Sequence, residues 1–328
     1  MPAAEELIAV LADGQWHRGP ELARRWGCSR TAVWKRLHAL DALGLELAAQ
    51  RGRGYRLARP LELLDAGPLR ALLSPATRER LDRLQLLSVT DSTSDRLRAA
   101  EPPAAGRLQL VLAEFQRGGR GRRGRRWLAP YGGGICFSLA TTFARRPPDL
   151  PALGLAAGVA AWRALRRAGL RSLGLKWPND LLVEGRKLGG LLVEVDGEAD
   201  GPLRAIIGLG VNWQLSPAIH DAVRAAGGLP PTAISECLPG APSRHTLAAA
   251  LVDALAMALD QFAVEGFAPS AADWREADLL RGRSVEVHCG RRSLSGTACG
   301  IDASGNLLVA TPQGLETVVA GEVSLRAG

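Results

Sequence analysis

A dense run of arginine and glycine interrupts the apolar middle of the chain at residues 117–127. It reads Arg-Gly-Gly-Arg-Gly-Arg-Arg-Gly-Arg-Arg-Trp, with six arginines and four glycines. Because strand-like apolar runs lie on both sides, a folded loop is favoured over a disordered Arg/Gly tail. Glycine lets backbone N–H groups approach an anion, and arginine donates paired hydrogen bonds to carboxylate or phosphate. The segment therefore predicts a nucleotide-binding loop, with Trp127 at its end able to stack on a base.

The composition indicates an anionic partner and a reducing environment. The 328 residues carry a net charge of +8 and the pI is about 9.9, which favours phosphates, nucleic acid or acidic proteins. The five cysteines form no C-x-x-C pair and the five histidines are scattered, so neither a disulfide framework nor a zinc site is predicted. Glu5 and Glu6 argue against a signal peptide. No apolar run approaches a membrane span, and we expect a cytoplasmic protein with no membrane contact.

Residues 1–60 have the pattern of a winged helix-turn-helix DNA-binding domain. Helices are predicted at 4–12 and 20–26, and a third helix, capped by Ser29, at 30–43. A hairpin that would form the wing follows, with strand-like runs at 45–49 and 55–57. The alternative is a three-helix protein-interaction module with a solvated basic face.

The third predicted helix has an apolar side and a basic side. Val33, Leu37 and Leu40 are spaced four and three residues apart and define a buried face. The opposite face is basic, as is the tip of the predicted wing. We predict that DNA is contacted by Arg30, Thr31, Trp34, Lys35, His38, Arg51 and Arg53.

The remainder of the chain predicts an α+β protein with two further domains, a central mixed sheet with helices at 63–275 and a small β-barrel at 280–328. Residues 58–61 resemble a linker, and residues 215–244 look irregular because they contain several prolines. Central strands are predicted at 84–89, 108–115, 134–143, 171–176, 180–184, 189–196 and 203–212. Central helices are predicted at 91–99, 150–168 and 245–264.

A second motif, residues 176–190, reads Lys-Trp-Pro-Asn-Asp-Leu-Leu-Val-Glu-Gly-Arg-Lys-Leu-Gly-Gly. Gly185 predicts a tight turn between two strands, and Lys187 stands beside two glycines that allow a ligand close approach. Asn179 and Asp180 are oxygen ligands suited to Mg²⁺, which binds few carboxylates together with substrate phosphates. Taken alone, an ordinary turn is the favoured explanation of Asn179-Asp180, and a solvated strand lysine is the favoured explanation of Lys187.

Two weaker motifs flank these. Gly208-Leu-Gly-Val-Asn212 ends a strand and would place an amide near a metal or phosphate, although a β-bulge is an equal reading. The run 90–94, Thr-Asp-Ser-Thr-Ser, ends a strand and opens a helix. Its hydroxyls either cap that helix or face a polar ligand.

Together and in this order, the four motifs resemble those of bifunctional biotin protein ligases and biotin operon repressors of the BirA type. The resemblance covers essentially the full length, and the N-terminal winged helix is typical of the regulatory version. Its strongest parts are Gly119–Trp127, Lys176–Asp180 and Arg186–Gly190. It is supported by Asp91–Thr93, Gly208–Asn212 and the terminal Gly321-Glu-Val-Ser-Leu-Arg326.

The resemblance implies a fold like that of biotin and lipoate ligases and a two-step reaction. Biotin and ATP, with Mg²⁺, would give biotinyl-5′-AMP, and biotin would pass to one lysine of a biotin carboxyl carrier protein of the acetyl-CoA carboxylase type. A carboxylate is already ionised at neutral pH and needs no general base, so catalysis would rest on alignment and charge neutralisation. The adenylate-bound homodimer would bind operator DNA and repress the biotin synthesis genes.

The resemblance also assigns roles to residues, with Lys187 and Arg122 as the catalytic pair. Biotin would be bound by Ser92, Thr93, Gln116, Arg120, Arg122, Lys187 and Gly190. ATP and the adenylate would be bound by Arg122, Arg125, Trp127, Lys176, Asn179 and Asn212. Asp180 and Asn179 would hold Mg²⁺. One departure is Ser94, where the family often has asparagine, so Ser94 receives no biotin contact.

Three other functions remain open from the sequence. A lipoate–protein ligase shares the fold and the adenylation chemistry, although the Arg/Gly loop favours biotin. A transcription factor that only senses a ligand is disfavoured by the intact Lys187 and the loop. An RNA-binding Arg/Gly protein would expose residues 117–127 to proteases whether or not a ligand is present.

Overall fold

The computed structural model describes residues 4–197, 201–289 and 292–325. The α-helices, α1 to α11 in chain order, are Ala4–Leu11, Gly19–Arg25, Arg30–Ala39, Ala66–Leu72, Pro75–Arg80, Thr93–Arg98, Leu153–Arg167, Pro217–Ala225, Ile234–Cys237, Arg244–Glu265 and Ala271–Ala277. The strands, β1 to β14, are Leu47–Gln50, Gly54–Leu57, Leu81–Thr90, Leu108–Gln116, Gly134–Phe143, Leu173–Lys176, Asp180–Val183, Arg186–Gly197, Leu203–Asn212, Ser284–Cys289, Arg292–Ile301, Leu307–Thr311, Gly314–Val318 and Glu322–Leu325. This order confirms the α+β class.

The N-terminal region forms three helices and the β1–β2 hairpin, as a winged helix-turn-helix requires. Ser29 caps α3, because its Oγ accepts a hydrogen bond from the Ala32 backbone N–H at 3.2 Å. The helix predicted over 30–43 is shorter than expected: it ends at Ala39 and continues as a 3₁₀ turn, Leu40–Leu43. Gly44, with φ at 71°, ends that turn. The predicted buried face is confirmed, since the side chains that fill this small core include Val33, Leu37 and Leu40.

The central region is built on a seven-stranded mixed sheet in the order β3-β4-β5-β9-β8-β7-β6. β3 and β4 are parallel, and the other neighbours are antiparallel. Helices α7 and α10 pack against each other and the sheet. Each predicted central strand is present with its ends within three residues. The sheet therefore has one face covered by long helices.

The opposite face of the sheet carries α6 and then an open region. Leu97 of α6 packs on Val111, Ala140 and Ile206 in a separate apolar cluster. Because side chains alternate along a strand, Gly208, Gly210 and Asn212 lie on the same face as Ile206. On this face, beyond the end of α6, Gly208 and Gly210 have no side chains and leave space above the sheet.

The expectation that no apolar run approaches the length of a membrane span is wrong for helix α10. Its 22 residues are long and apolar enough to cross a membrane by length and composition, and half of the most apolar stretch is buried within the protein. Leu251, Leu255 and Phe262 belong to the main hydrophobic core. The helix is therefore apolar because it is the central core helix of the region built on the seven-stranded sheet.

Several helices were not predicted from the sequence. The region 215–244, expected to be irregular, contains α8 and the short α9. Pro217 occupies the first turn of α8, where proline favours rather than breaks a helix. α4, α5 and α11 were also missed, because seven residues or fewer give too little periodicity.

The tail forms a small antiparallel domain in the strand order β13-β12-β11-β10-β14. The predicted all-β character is confirmed. The two outer strands do not pair with each other in the part of the tail that the structure describes, so this hydrogen-bonded sheet is open rather than closed. Arg326, the last residue of the terminal motif, lies outside the described residues.

Candidate functional site

A cavity of about 340 Å³ opens on the α6 face of the central sheet. Its walls come from the Arg/Gly loop, the β6–β8 strands, the end of β9, α8 and the start of β14. It gathers the residues that the sequence assigned to biotin, ATP or Mg²⁺: Ser92, Thr93, Gln116, Arg120, Arg122, Arg125, Trp127, Lys176, Asn179, Asp180, Lys187, Gly190 and Asn212. Motifs as far apart in sequence as residues 92 and 212 thus meet at one place.

The Arg/Gly segment is a folded turn. The Gly121 N–H donates to the Arg125 carbonyl at 2.7 Å, and the Trp127 N–H donates to the Gly119 carbonyl at 2.8 Å. Arg123 adopts a left-handed conformation with φ at 56° between them. A folded loop between β4 and β5, rather than a disordered Arg/Gly tail, is therefore what this sequence forms.

Trp127 lies on the backbone of β9. A Cβ at Gly210 would come within 2.6 Å of the Trp127 ring, so only glycine leaves room for the indole. β9 pairs with β5 as far as Asn212 and with β8 as far as Val211, in both cases without a shift in register, and the β-bulge reading of this motif is wrong. Because these glycines have no side chains, they instead leave the base of the cavity open.

The cavity holds more positive than negative charge. Lys187 Nζ lies 2.6 Å from Asp180 Oδ1. Lys176 is only 8% exposed, and burial lowers its pKa; Asp180 opposes that shift and Lys187 adds to it. Burial also lowers the pKa of Arg122, with Arg123 adding to the effect and Asp180 opposing it. Neither Lys176 nor Arg122 has a hydrogen-bond or ion-pair partner among the described residues, so an anionic ligand would supply what both lack.

The second motif forms the predicted hairpin of β7 and β8. Glu184 and Gly185 make the turn with φ values of 50° and 76°, a pair typical of a tight hairpin. Asn179 holds the entry to β7: its Nδ2 donates to the Leu191 carbonyl at 2.6 Å. This hydrogen bond uses the amide nitrogen of Asn179, so the side-chain oxygen of Asn179 is left to bind a ligand.

Two features bear on a cation in the cavity. No group of three or more metal-binding side chains occurs in the described residues, and the cavity carboxylates, Asp180 and Glu322, are each paired with a cation. Asn212 is 4% exposed; its Nδ2 donates to the Thr232 carbonyl at 2.9 Å, while its Oδ1 is buried and has no hydrogen-bond partner among the described residues. The donor set fits a Mg²⁺ ion held mainly by substrate phosphates.

A cluster of neutral polar side chains also lines the cavity. Ser92 caps α6 by accepting from the Asp95 N–H at 3.3 Å, so the capping reading of this motif holds. Gln116 Oε1 accepts from the Thr93 N–H at 2.9 Å. Ser138, which the sequence gave no reason to select, bonds Thr93 Oγ1 at 2.7 Å and Ser94 Oγ at 2.9 Å. Only the fold brings Ser138 of β5 beside this motif.

Other arginines of the loop are held by acids or carbonyls distant in sequence. Arg120 lies 2.9 Å from Asp95 Oδ1 and 3.2 Å from Glu194 Oε2. Arg125 is paired with Glu322, and Arg123 donates to a carbonyl of β10 at 3.2 Å. The C-terminal domain therefore contacts the loop directly.

The predicted DNA-contacting residues lie on the surface. Arg30, Thr31, Lys35 and His38 of α3 and Arg51 and Arg53 at the hairpin tip are all exposed. Trp34 is 48% exposed, and its ring lies 4.1 Å from that of His38. A solvated basic face thus surrounds an unburied aromatic side chain.

Comparisons with known proteins agree with this arrangement. The sequence matches the Biotin/lipoate A/B protein ligase family over residues 86–212, an HTH domain over 4–56 and the Biotin protein ligase C terminal domain over 281–326. It is 33% identical over 322 residues to the bifunctional ligase/repressor BirA of Salmonella typhimurium, covering 98% of this chain and 96% of that protein. A biotin--[acetyl-CoA-carboxylase] ligase of Paracoccus denitrificans is 32% identical over 73% of this chain and 98% of its own length.

Among solved structures, the biotin protein ligase of Aquifex aeolicus in complex with biotin and ATP superimposes with a TM-score of 0.62 at 26% identity. It covers 75% of this chain and 100% of that chain. The fold and the matched domains define a protein ligase of the biotin/lipoate class with an added helix-turn-helix domain. Within that class, the chain belongs to the BirA family of bifunctional ligase/repressors.

Proposed function

We propose that the protein joins biotin to ATP, forming biotinyl-5′-AMP and pyrophosphate, and then transfers biotin to a lysine of a biotin carboxyl carrier protein. The observation that carries this proposal is the cavity itself, where the buried Lys176 and the half-buried Arg122, both without a partner among the described residues, meet the Arg/Gly loop and the β7–β8 hairpin. The relatives named for biotin ligation and the Aquifex complex with biotin and ATP support the choice of substrates.

In the first step the biotin carboxylate attacks the α-phosphorus of ATP. A carboxylate–phosphate bond forms, the bond to the β-phosphate oxygen breaks, and pyrophosphate leaves with its electron pair. No proton must be removed from the nucleophile, which explains a cavity of cations without a base. Lys187 and Arg122 are the catalytic residues in this proposal, because they would neutralise charge that develops on the α-phosphate.

Biotin would occupy the part of the cavity lined by the neutral polar cluster. Its ureido group is uncharged and both donates and accepts hydrogen bonds, which matches hydroxyl and amide side chains better than cations. Gly190 has no side chain to obstruct the approach of the ligand to Lys187. The biotin-binding set is Ser92, Thr93, Gln116, Arg120, Arg122, Lys187 and Gly190.

The nucleotide would occupy the cationic part. Trp127 offers an aromatic surface for adenine, and Lys176 offers a buried charge for phosphate. The nucleotide-binding set is Arg122, Arg125, Trp127, Lys176, Asn179 and Asn212. Mg²⁺, when bound, would lower the charge of the phosphates. Asp180 and the side-chain oxygen of Asn179 would hold it, and the unpartnered Asn212 Oδ1 is a further donor.

In the second step the neutral ε-amine of the carrier lysine attacks the acyl carbon of the adenylate, the bond from that carbon to the phosphate oxygen breaks, AMP leaves with the electron pair, and the nitrogen releases one proton to solvent. Biotin is then held by an amide bond. The loop, which contacts the C-terminal domain through Arg123 and Arg125, would retain the adenylate until the carrier arrives. We assign DNA binding to 1–60, catalysis to 63–275 and loop support to 280–328.

The winged helix would make the protein a repressor of biotin synthesis genes. One domain offers few phosphate contacts and would bind DNA weakly, whereas two domains on a two-fold operator would add their contacts. We therefore propose that the adenylate-bound form is a homodimer in the cytoplasm, in contact with operator DNA and not with a membrane. The concentration of biotin would then control repression, because adenylate binding and DNA binding would be linked by a coupling free energy.

The experiment for the ligase is incubation of the full chain with ATP, Mg²⁺, labelled biotin and a biotin carrier domain. One label on the acceptor lysine is expected, with none on a carrier whose lysine is replaced by arginine. Parallel reactions with lipoate and a lipoyl domain distinguish a biotin ligase from a lipoate–protein ligase. Labelling with lipoate and not with biotin would overturn the proposal.

A further inference from the structure

The wing contains an aromatic contact that its sequence does not reveal. Trp16 lies between α1 and α2, next to His17, which adds a short third strand to the hairpin. His17 and Tyr55 exchange backbone hydrogen bonds at 2.8 and 2.9 Å. A Cβ at Gly54 would lie 2.1 Å from the His17 carbonyl, so glycine is required for this approach. The segment that carries Trp16 is therefore held in a fixed position beside the wing.

Two wing arginines lie over the Trp16 ring. The guanidinium carbon of Arg53 is 4.8 Å from the ring centroid and that of Arg56 is 5.0 Å from it. Both distances are within the range of a cation–π contact. Trp16 is not a member of the apolar core of its own domain as far as the described residues go. Its neighbours here are therefore the two arginines.

The charge of these arginines is not neutralised by the protein. Within the described segments, neither Arg53 nor Arg56 forms an ion pair; Arg53 donates to the neutral Gln50 Oε1 at 3.4 Å. Arg56 Nε is buried without a hydrogen-bond partner. Two like charges near one ring repel each other, and the ring face attracts both. The pair thus keeps its charge available for an outside anion.

We propose that Trp16 is a positioning residue for DNA binding and that Arg56, together with Arg53, binds backbone phosphates of duplex DNA. This inference rests on the proposed repressor function and adds two residues to it. Trp16 limits the rotamers of both long side chains before DNA arrives, so less side-chain entropy is lost on binding. Phosphate contacts carry no base information, so the pair acts on any duplex.

The test is a double-mutant cycle on the full chain bound to biotinyl-AMP. Affinity is measured by fluorescence anisotropy on two probes, the DNA upstream of the biotin synthesis genes and an unrelated duplex of equal length. Trp16→Ala should weaken binding to both about five- to tenfold, the size of two such contacts. Trp16→Phe, which keeps a ring, should recover most of the loss. Arg166→Ala is the matched control, because Arg166 lies over the Trp162 ring at 4.9 Å in the catalytic region.

The cycle separates positioning from a merely structural role. In an Arg53→Ala/Arg56→Ala background, Trp16→Ala should add less than about a twofold loss, because the ring has nothing left to hold. A full additional loss there, or wild-type affinity for Trp16→Ala alone, would overturn the inference while the wild type still binds DNA. A wild type that makes biotinyl-AMP but binds neither duplex would overturn the repressor function, and this inference with it.

Discussion

Three cations of the cavity differ in how the protein holds them. Lys187 is paired with Asp180, whereas the buried Lys176 and the half-buried Arg122 have no partner in the part of the chain that the structure describes. A buried charge without a counter-ion destabilises the empty site. An anion that binds there acts as the counter-ion and removes part of this destabilisation. The stabilisation increases as the negative charge of the bound anion increases. The arrangement therefore favours a ligand that gains charge during reaction.

The first prediction concerns Lys187. Lys187→Ala should lower the rate of biotinyl-AMP formation by about 10²-fold or more, the usual effect of losing one key electrostatic group in the transition state. Single-turnover measurement of adenylate formation with saturating biotin and ATP would show it. Lys187→Arg should recover part of the rate, because it keeps the charge in a different shape. Wild-type turnover in the alanine variant would return Lys187 to the role of a solvated strand residue.

The second prediction uses the lowered pKa of Lys176. In the folded state this amine loses its proton at a lower pH than in the unfolded chain, where the usual value is 10.5. Between the two values the unfolded chain binds more protons, so stability rises with pH in that interval. At neutral pH the amine is charged in both states and the full burial penalty remains.

Lys176→Met should therefore raise the melting temperature at neutral pH, and the gain should shrink as the pH approaches 10.5. The same variant should adenylate biotin poorly, because the charge serves phosphate binding. Thermal melts at several pH values, beside an ATP titration, provide the measurement. A less stable variant at neutral pH would contradict the assignment of burial as the dominant cause.

At the scale of elements, the Arg/Gly loop depends on β9 as much as on its own sequence. Trp127 occupies the space above Gly210, so the loop is anchored where the strand has no side chain. Cys136 of β5 is fully buried nearby, and burial raises the pKa of its thiol to about 11. The loop is therefore anchored on the sheet through Trp127, at the end of its arginine-rich part.

The third prediction is that Gly210→Ala displaces Trp127. The new Cβ would stand 2.6 Å from the indole, closer than real contacts allow. We expect ATP affinity to fall about tenfold or more, as for the loss of a stacking surface of this kind. The shift of the melting temperature should be small by comparison, because the ring moves at the surface of the sheet. Calorimetric titration with a nonhydrolysable nucleotide is the measurement.

Gly158→Ala is the matched control for this prediction. Gly158 lies inside α7, where a Cβ would meet its nearest neighbour at an ordinary 3.7 Å. Alanine also has a higher helix propensity than glycine by about 1 kcal/mol. Equal losses of nucleotide affinity in the two variants would show that Trp127 is not positioned by Gly210.

The sequence predicted those elements whose signals are local. The loop, the β7–β8 hairpin and the cap at Ser92 depend on glycines, turn residues and a short polar side chain, all of which act within a few residues. It missed α8, because the prolines of residues 215–244 indicated irregular structure although Pro217 lies in the first turn of a helix. At Gly210 it left a β-bulge and a ligand-facing strand end open as alternatives. Partners such as Ser138 and Glu194 could not be found, because sheet pairing, not sequence spacing, brings them to the site.

For the molecule as a whole, a buried cation holds the linker after the winged helix, which here means the predicted linker 58–61 together with residues 62–64. Arg244 is fully buried; it lies 2.6 Å from Glu114 Oε2 and donates to the carbonyls of Gly134 at 2.6 Å and Glu62 at 2.8 Å. Glu114 in turn accepts from the Leu64 N–H. α10, β4, β5 and the linker are thereby joined through one guanidinium group.

The fourth prediction is that Arg244→Met destabilises the protein by about 3–5 kcal/mol, because Glu114 is left buried without its counter-ion. Urea unfolding at neutral pH would measure this loss. The double variant Arg244→Met/Glu114→Gln should recover a large part of it, since no buried charge remains. If the double variant is as unstable as the single one, hydrogen bonding by Arg244 rather than charge pairing fixes the linker.

The N-terminal domain also contacts the segment that follows the loop. The Tyr131 N–H donates to the Leu43 carbonyl at 2.9 Å, and its side chain lies in the apolar core of the winged helix. Its hydroxyl bonds Ser88 Oγ of β3 at 2.9 Å. Only a few residues separate Trp127 from this contact. The DNA-binding domain and the adenylation loop are therefore neighbours along one stretch of chain.

We propose that the cationic cavity activates biotin by adenylation. A reaction without the carrier protein tests this directly. The full chain is mixed with ATP and Mg²⁺, and pyrophosphate release is followed with biotin, with lipoate or with no acid. We expect a burst of one pyrophosphate per active site that requires biotin, with biotinyl-AMP recovered bound to the protein. Equal release without biotin, or a burst with lipoate alone, would contradict it.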